Sequence, residues 1–135
     1  MASSPIFIGT PKFANIILNN SNGGDPAYTS PTTIATVLTV GAGGGRIDTV
    51  YLAPVGTNAA TAVRFFIDTV GTGTTDNKLV HEETLAATTS TTVAALRGIT
   101  WQPTMTLPAG AVLRATVANT AATLGVCVSV EYGEF

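Results

Sequence analysis

From Leu124 to Tyr132 the chain alternates without a break. Leu124, Val126, Val128, Val130 and Tyr132 fall on one parity, and Gly125, Cys127, Ser129 and Glu131 on the other. Successive side chains of a strand point to opposite faces, so this run predicts a strand with one apolar face and one small or polar face. The same parity recurs elsewhere. Val63, Phe65 and Ile67 oppose Arg64, Phe66 and Asp68, while Leu113, Ala115 and Val117 oppose Val112, Arg114 and Thr116. Ile34, Leu38 and Val40 share a face, as do Val50 and Leu52. Ile47 falls out of phase with Val50, which predicts a bulge near Asp48 and Thr49.

Turn-forming stretches separate these runs, at Asn19–Asp25, Gly41–Gly45, Gly56–Asn58, Gly71–Asn77, Thr88–Thr92 and Pro108–Gly110. The count is about eight or nine strands at spacings of roughly 10–15 residues, the signature of a sandwich or barrel. Helical windows long enough for βα units are missing, and the best candidate, Ala59–Ala62, is too short to matter. The expectation is therefore all-β: a single-domain antiparallel β-sandwich of jelly-roll type.

The first thirty residues differ in character. Pro5, Pro11, Pro26 and Pro31 surround one apolar stretch, Phe13–Leu18. Within one domain overall, we read residues 1–30 as an extended N-terminal arm with the first strand, and 31–135 as the sandwich. The arm either pairs with a neighbouring subunit's sheet edge or closes over its own sandwich.

Chemistry is thinly supplied. The chain has one His, one Cys, six basic and eight acidic residues. Charged residues make up 10% of it, against an ordinary share of about 25%. Catalysis and metal binding need titratable or ligating groups that converge, so no enzyme, metal site or cofactor is expected. So few charges suit a surface covered by copies of itself or by a larger assembly. The net charge is −2 and the basic residues form no stripe, which argues against nucleic acid as a partner. No apolar run approaches ~18 residues, which argues against a membrane helix. Met1–Ser4 lacks the form of a secretion signal, so synthesis in the cytoplasm is expected.

Individual residues carry competing readings. His81 and Glu83 share a strand face opposite Glu82, and a solvated strand end fits them better than a metal site. Gly41–Gly45 leads into a strand and not a helix, so it reads as a flexible turn and not a phosphate cradle. Cys127 between Val126 and Val128 reads as a buried free thiol. Arg46 with Asp48, and Arg64 with Asp68, are expected as same-face pairs along their strands. Trp101, Tyr28, Tyr51 and Tyr132 serve either as core and interface anchors or as a sugar-binding surface. The carboxylates near enough in sequence for glycan hydrolysis are Glu82, Glu83, Asp68 and Asp76. Candidate interface residues are Pro5, Ile6, Phe7, Phe13, Arg46, Asp48, Arg64 and Trp101.

The stretches Pro5-Ile6-Phe7, Gly41–Asp48, Val63–Ile67, Leu107–Gly110 and Leu113–Ala115 together resemble small virion proteins of tailed bacteriophages, of the capsid decoration (cement) and tail-associated classes. The resemblance implies a structural protein of the virion, a homotrimer that sits on the outer shell and clamps the major capsid protein. It supplies no catalytic residues. The alternative is a carbohydrate-binding host-recognition module at the tail tip or on a fibre, built on the same scaffold.

Overall fold

The computed structural model describes residues 9–69, 76–89, 98–119 and 125–135. Among these, every regular element is a strand: β1 (Thr10–Asn19), β2 (Ala35–Thr39), β3 (Gly45–Pro54), β4 (Thr61–Asp68), β5 (Lys78–Leu85), β6 (Ile99–Trp101), β7 (Met105–Leu107), β8 (Val112–Val117) and β9 (Gly125–Glu134). Two antiparallel sheets pack face to face, as expected. The first runs β1-β9-β3-β6, with β7 also on β3; the second runs β2-β8-β4-β5. Residues of Pro5–Phe7, Gly71–Thr75 and Ser90–Thr92, and Leu124, lie outside the described residues.

The core forms from one parity of each strand. Val126, Val128 and Val130 of β9 are fully buried, as are Val63 and Phe65 of β4 and Leu113, Ala115 and Val117 of β8. β9 is an interior strand of its sheet, paired with β1 along ten residues and with β3 on its other side. Pro11 has no N–H to give a second neighbour, which suits β1 to the sheet edge. In the turn after β1, Gly23 holds φ at +92°, and a Cβ there would stand 2.9 Å from Leu18 Cδ2.

The bulge expected near Asp48 and Thr49 is present. The β3–β9 register shifts between Ile47 and Thr49, and this lets Ile47, Val50 and Leu52 all enter the core. On the other side of β3 the neighbouring strand breaks at the same place. β7 pairs with Gly45–Ile47, β6 pairs with Val50–Leu52, and Pro103 and Thr104 (φ +45°) lie between them. One irregularity thus spans adjacent strands.

Two expectations need correction, and β4 adds burial on both of its faces. The shared face of Ile34, Leu38 and Val40 is interrupted, because β2 shifts register against β8 between Thr36 and Leu38. The bulge turns Val37 and Leu38 inward together with Ala35 and Val40, and leaves Ile34 outside the core cluster. In β4 the second parity is buried as well: Arg64, Phe66 and Asp68 lie on the far face, away from the core, yet are covered. Cys127 is half-buried and not enclosed; it points away from the core and takes a hydrogen bond from Asn15 Nδ2 at 3.3 Å.

Candidate interaction surfaces

The two outer faces of the sandwich differ. On the second sheet, the Arg64 guanidinium lies beneath the Tyr28 ring, 3.8 Å from its centroid. Its Nη1 donates to the Pro26 carbonyl at 2.8 Å, and its Nε donates to Glu82 at 2.6 Å. Hydrogen bonding from Arg64 holds the Glu82 carboxyl below its ordinary range. The segment bearing Pro26 and Tyr28 is itself pinned by Asp25, whose carboxylate accepts the N–H groups of Ala27, Thr32 and Thr33 at 2.7–3.0 Å. The chain thus covers this face around Arg64, while Tyr28 itself and Leu79 and Val80 of β5 remain exposed.

The expected Arg64–Asp68 pair does not form. Four residues along a strand span about 13 Å, whereas cross-strand neighbours stand about 5 Å apart. Arg64 therefore takes Glu82, which is directly opposite it on β5, and Asp68 has Arg114 of β8 at 3.6 Å. Arg46 and Asp48 do pair, at 2.7 Å, because the bulge brings them together on the exposed side.

The outer face of the first sheet is open. Phe13 and Ile17 of β1 are 63% and 48% exposed, Tyr51 of β3 is 40% exposed, and Val55 just beyond β3 is 48% exposed. Register sets these residues in rows: Phe13, Glu131 and Thr49; Asn15, Ser129, Tyr51 and Thr100; Ile17, Cys127 and Ala53. Asn15 Nδ2 donates to Ser129 Oγ at 2.6 Å, and Tyr51 Oη donates to Glu131 at 3.4 Å. At the Phe13 end, an open depression of about 450 Å³ is lined by Pro11, Lys12, Phe13, Asp48, Glu131 and Tyr132. The face mixes exposed apolar side chains with polar ones, and its charged groups, Arg46, Asp48 and Glu131, gather at the Phe13 end.

Of the candidate interface residues, Phe13 and Asp48 share this depression and Arg46 adjoins it. Arg64 belongs to the covered part of the other face. Trp101 is half-buried and turned toward the second sheet. Its ring stacks on His81 of β5 at 4.1 Å and 6°, and it packs against Phe65 at 5.1 Å. His81 Nε2 is 2.7 Å from Glu83 Oε1, so His81 and Glu83 share one face while Glu82 takes the other. Glu82 and Glu83 thus cannot flank one groove, and Asp68 is fully buried. Pro5, Ile6 and Phe7 lie outside the described residues.

The sequence reading named Tyr51 among the aromatic anchors and missed Ile17, Val55 and Glu131. For Ile17, as for Tyr51, the signal is a loss of alternation. Ile16-Ile17-Leu18 and Val50-Tyr51-Leu52-Ala53 are unbroken apolar runs, and a strand made of such a run shows apolar side chains on both faces.

No protein family model and no curated protein matches the chain. Among solved structures, a chain of the acidic stable capsid structure of Helicobacter pylori bacteriophage KHP30 aligns with a TM-score of 0.55 and 17% identity, over 94% of this chain and 90% of that one. A chain of the T13 IBDV viral particle aligns with a TM-score of 0.40 and 8% identity, over 99% of this chain and 33% of that one. What this protein shares with the phage capsid chain is a fold: one β-sandwich, matched nearly from end to end.

Proposed function

We propose that the chain is a non-enzymatic structural protein of a virion, a capsid decoration (cement) protein that binds the assembled phage head and stabilises it. The observation that carries this reading is the end-to-end fold likeness to a chain of a phage capsid. Two further features support it. With β6 and β7 counted as one interrupted strand, the sheet orders β1-β9-β3-β6/β7 and β2-β8-β4-β5 support the jelly-roll reading of the sandwich. The open face of the first sheet, with Phe13, Ile17 and Tyr51 exposed on it, offers a surface for a protein neighbour. A ligand of the assembled shell alone adds its binding free energy to shell stability at every site it occupies. Assembly as a homotrimer, contact with the major capsid protein and residence on the virion surface belong to the same proposal.

The host-recognition alternative leaned on exposed aromatics such as Trp101. That ring is packed against Phe65 and His81, and Tyr28 and Tyr51 stand on opposite faces of the sandwich. The test is co-sedimentation of the purified protein with capsids stripped of accessory proteins, with host cells as the parallel sample. Saturable binding at many copies per shell, with a raised disruption temperature, is the expected result. Binding to cells alone refutes the cement reading.

A further inference from the structure

We infer that the outer face of the first sheet is the surface that docks on the shell, and that its partner there is a protein subunit presenting an Arg or Lys side chain amid apolar residues. The inference rests on the cement reading and adds the surface and the chemistry of its partner.

The sheet edges leave little room for the other common mode, pairing with a partner's strand. Edges are blocked by proline, lysine, bulges and interruptions. In β1, Pro11 has no N–H, Lys12 adds a charge, and Asn22 Nδ2 occupies the Ile17 carbonyl at 2.8 Å. β2 carries the bulge at Thr36–Leu38, and β5 is irregular opposite Phe65 and Phe66. The β6/β7 edge is interrupted around Pro103. All four edges carry such a device. The outer face of the second sheet is covered around Arg64 by the Pro26–Tyr28 segment. The exposed apolar residues of the second sheet, Leu79 and Val80, sit together on its edge strand β5, whereas Phe13 and Ile17 of β1, Tyr51 of β3 and Val55 just beyond it spread across the first sheet.

Charge then specifies the occupant. Asp48 already holds Arg46, and Lys12 already holds Glu134 at 2.8 Å. Glu131 stands between Phe13 and Thr49, and among the described residues its side chain accepts only the long contact from Tyr51. A carboxylate beside an exposed phenyl ring fits a guanidinium or ammonium group, which gains both an ion pair and a cation–π contact.

Size points the same way. Four strands at about 4.8 Å spacing, with five to seven residues each at about 3.4 Å, make a face of about 350 Å². Docking it would bury about 700 Å² in total, below the roughly 1,200–2,000 Å² of a stable two-body complex. Such a contact is weak singly and becomes effective when repeated over a shell and linked within an oligomer.

The experiment is co-sedimentation with stripped capsids of wild type, Phe13→Ser, Glu131→Gln, Glu131→Lys and, on the edge strand of the second sheet, Val80→Ser. Circular dichroism and melting curves establish that each is folded, and sedimentation velocity reports its oligomeric state. Wild type and Val80→Ser are expected to bind alike. Phe13→Ser and Glu131→Lys should weaken binding tenfold or more without altering the sedimentation coefficient, and Glu131→Gln should flatten its salt dependence. Full binding by the Phe13 and Glu131 variants overturns the surface while leaving the cement reading intact. Failure of wild type itself to bind overturns both. A sedimentation coefficient that drops in Phe13→Ser identifies the occupant as a second copy and overturns the inference.

Discussion

Val128 sits mid-way along the interior strand β9, between Ile16 of β1 and Leu52 of β3, and is fully buried. Replacing it with Asp tests the register of the whole first sheet. The lost burial of the valine side chain costs about 1.5–3 kcal/mol. A carboxyl group placed among aliphatic neighbours without a hydrogen-bond partner costs roughly 2–7 kcal/mol more even when neutral. Burial raises its folded pKa above the unfolded value near 3.9, so the folded state binds the extra proton. Stability then falls as pH rises across that window, by about 1.36 kcal/mol per unit. Small domains hold only about 5–15 kcal/mol in all. Val128→Asp should therefore fail to give soluble folded protein at pH 7 and be less damaged at pH 5. The paired control is Ser129→Asp. Ser129 points outward and accepts Asn15 Nδ2, a bond that a carboxylate can also accept. Its melting temperature should move by only a few degrees. Near-normal melting of Val128→Asp at pH 7, or greater damage from Ser129→Asp, would place β9 one residue out of register and refute the reasoning.

Burial raises the Asp25 carboxyl, but the N–H groups of Thr33, Ala27 and Thr32 and the Thr32 hydroxyl outweigh it and hold the group below its ordinary value. Its stabilisation is present above the unfolded value near 3.9 and lost as pH falls through the lowered folded value. Asp25→Asn should thus lower the melting temperature more at pH 7 than at pH 3, and equal losses would count against the pinned loop. Asn58 is buried and its Oδ1 accepts the Gly125 N–H at 2.6 Å. Asn58→Ala strands that donor and should cost about 1–3 kcal/mol in urea unfolding; a loss under about 0.5 would assign the Asn58 side chain no structural role. Trp101 is the chain's one tryptophan and is stacked on His81. His81→Ala should expose one face of the indole and shift its emission to the red, while His81→Phe should not; unchanged emission in His81→Ala would contradict the stack.

Much of the sandwich was legible because burial on one side of a sheet writes itself into every second residue. Val126, Val128 and Val130, the strand at Leu113–Val117 and the bulge after Ile47 follow from parity alone. Parity failed where burial has another cause. Arg64, Phe66 and Asp68 form the second parity of β4, and they are covered by packing that β4's own sequence does not encode. The bulge in β2 left no mark, because Val37 and Leu38 are both apolar and either phase satisfies the pattern.

By itself, then, the sequence determined that this protein is built of strands, which residues most strands turn inward, and that it has few groups with which to do chemistry. These are local properties, set by side-chain type and a two-residue period. Which strands become neighbours was decided only by the tertiary structure. So were the pairing of Arg64 with Glu82 in place of Asp68, the inward turn of Trp101, and the cover that the Pro26–Tyr28 segment lays over Arg64 on one outer face. Each of these depends on contacts between residues far apart in the chain, and no local period carries that information.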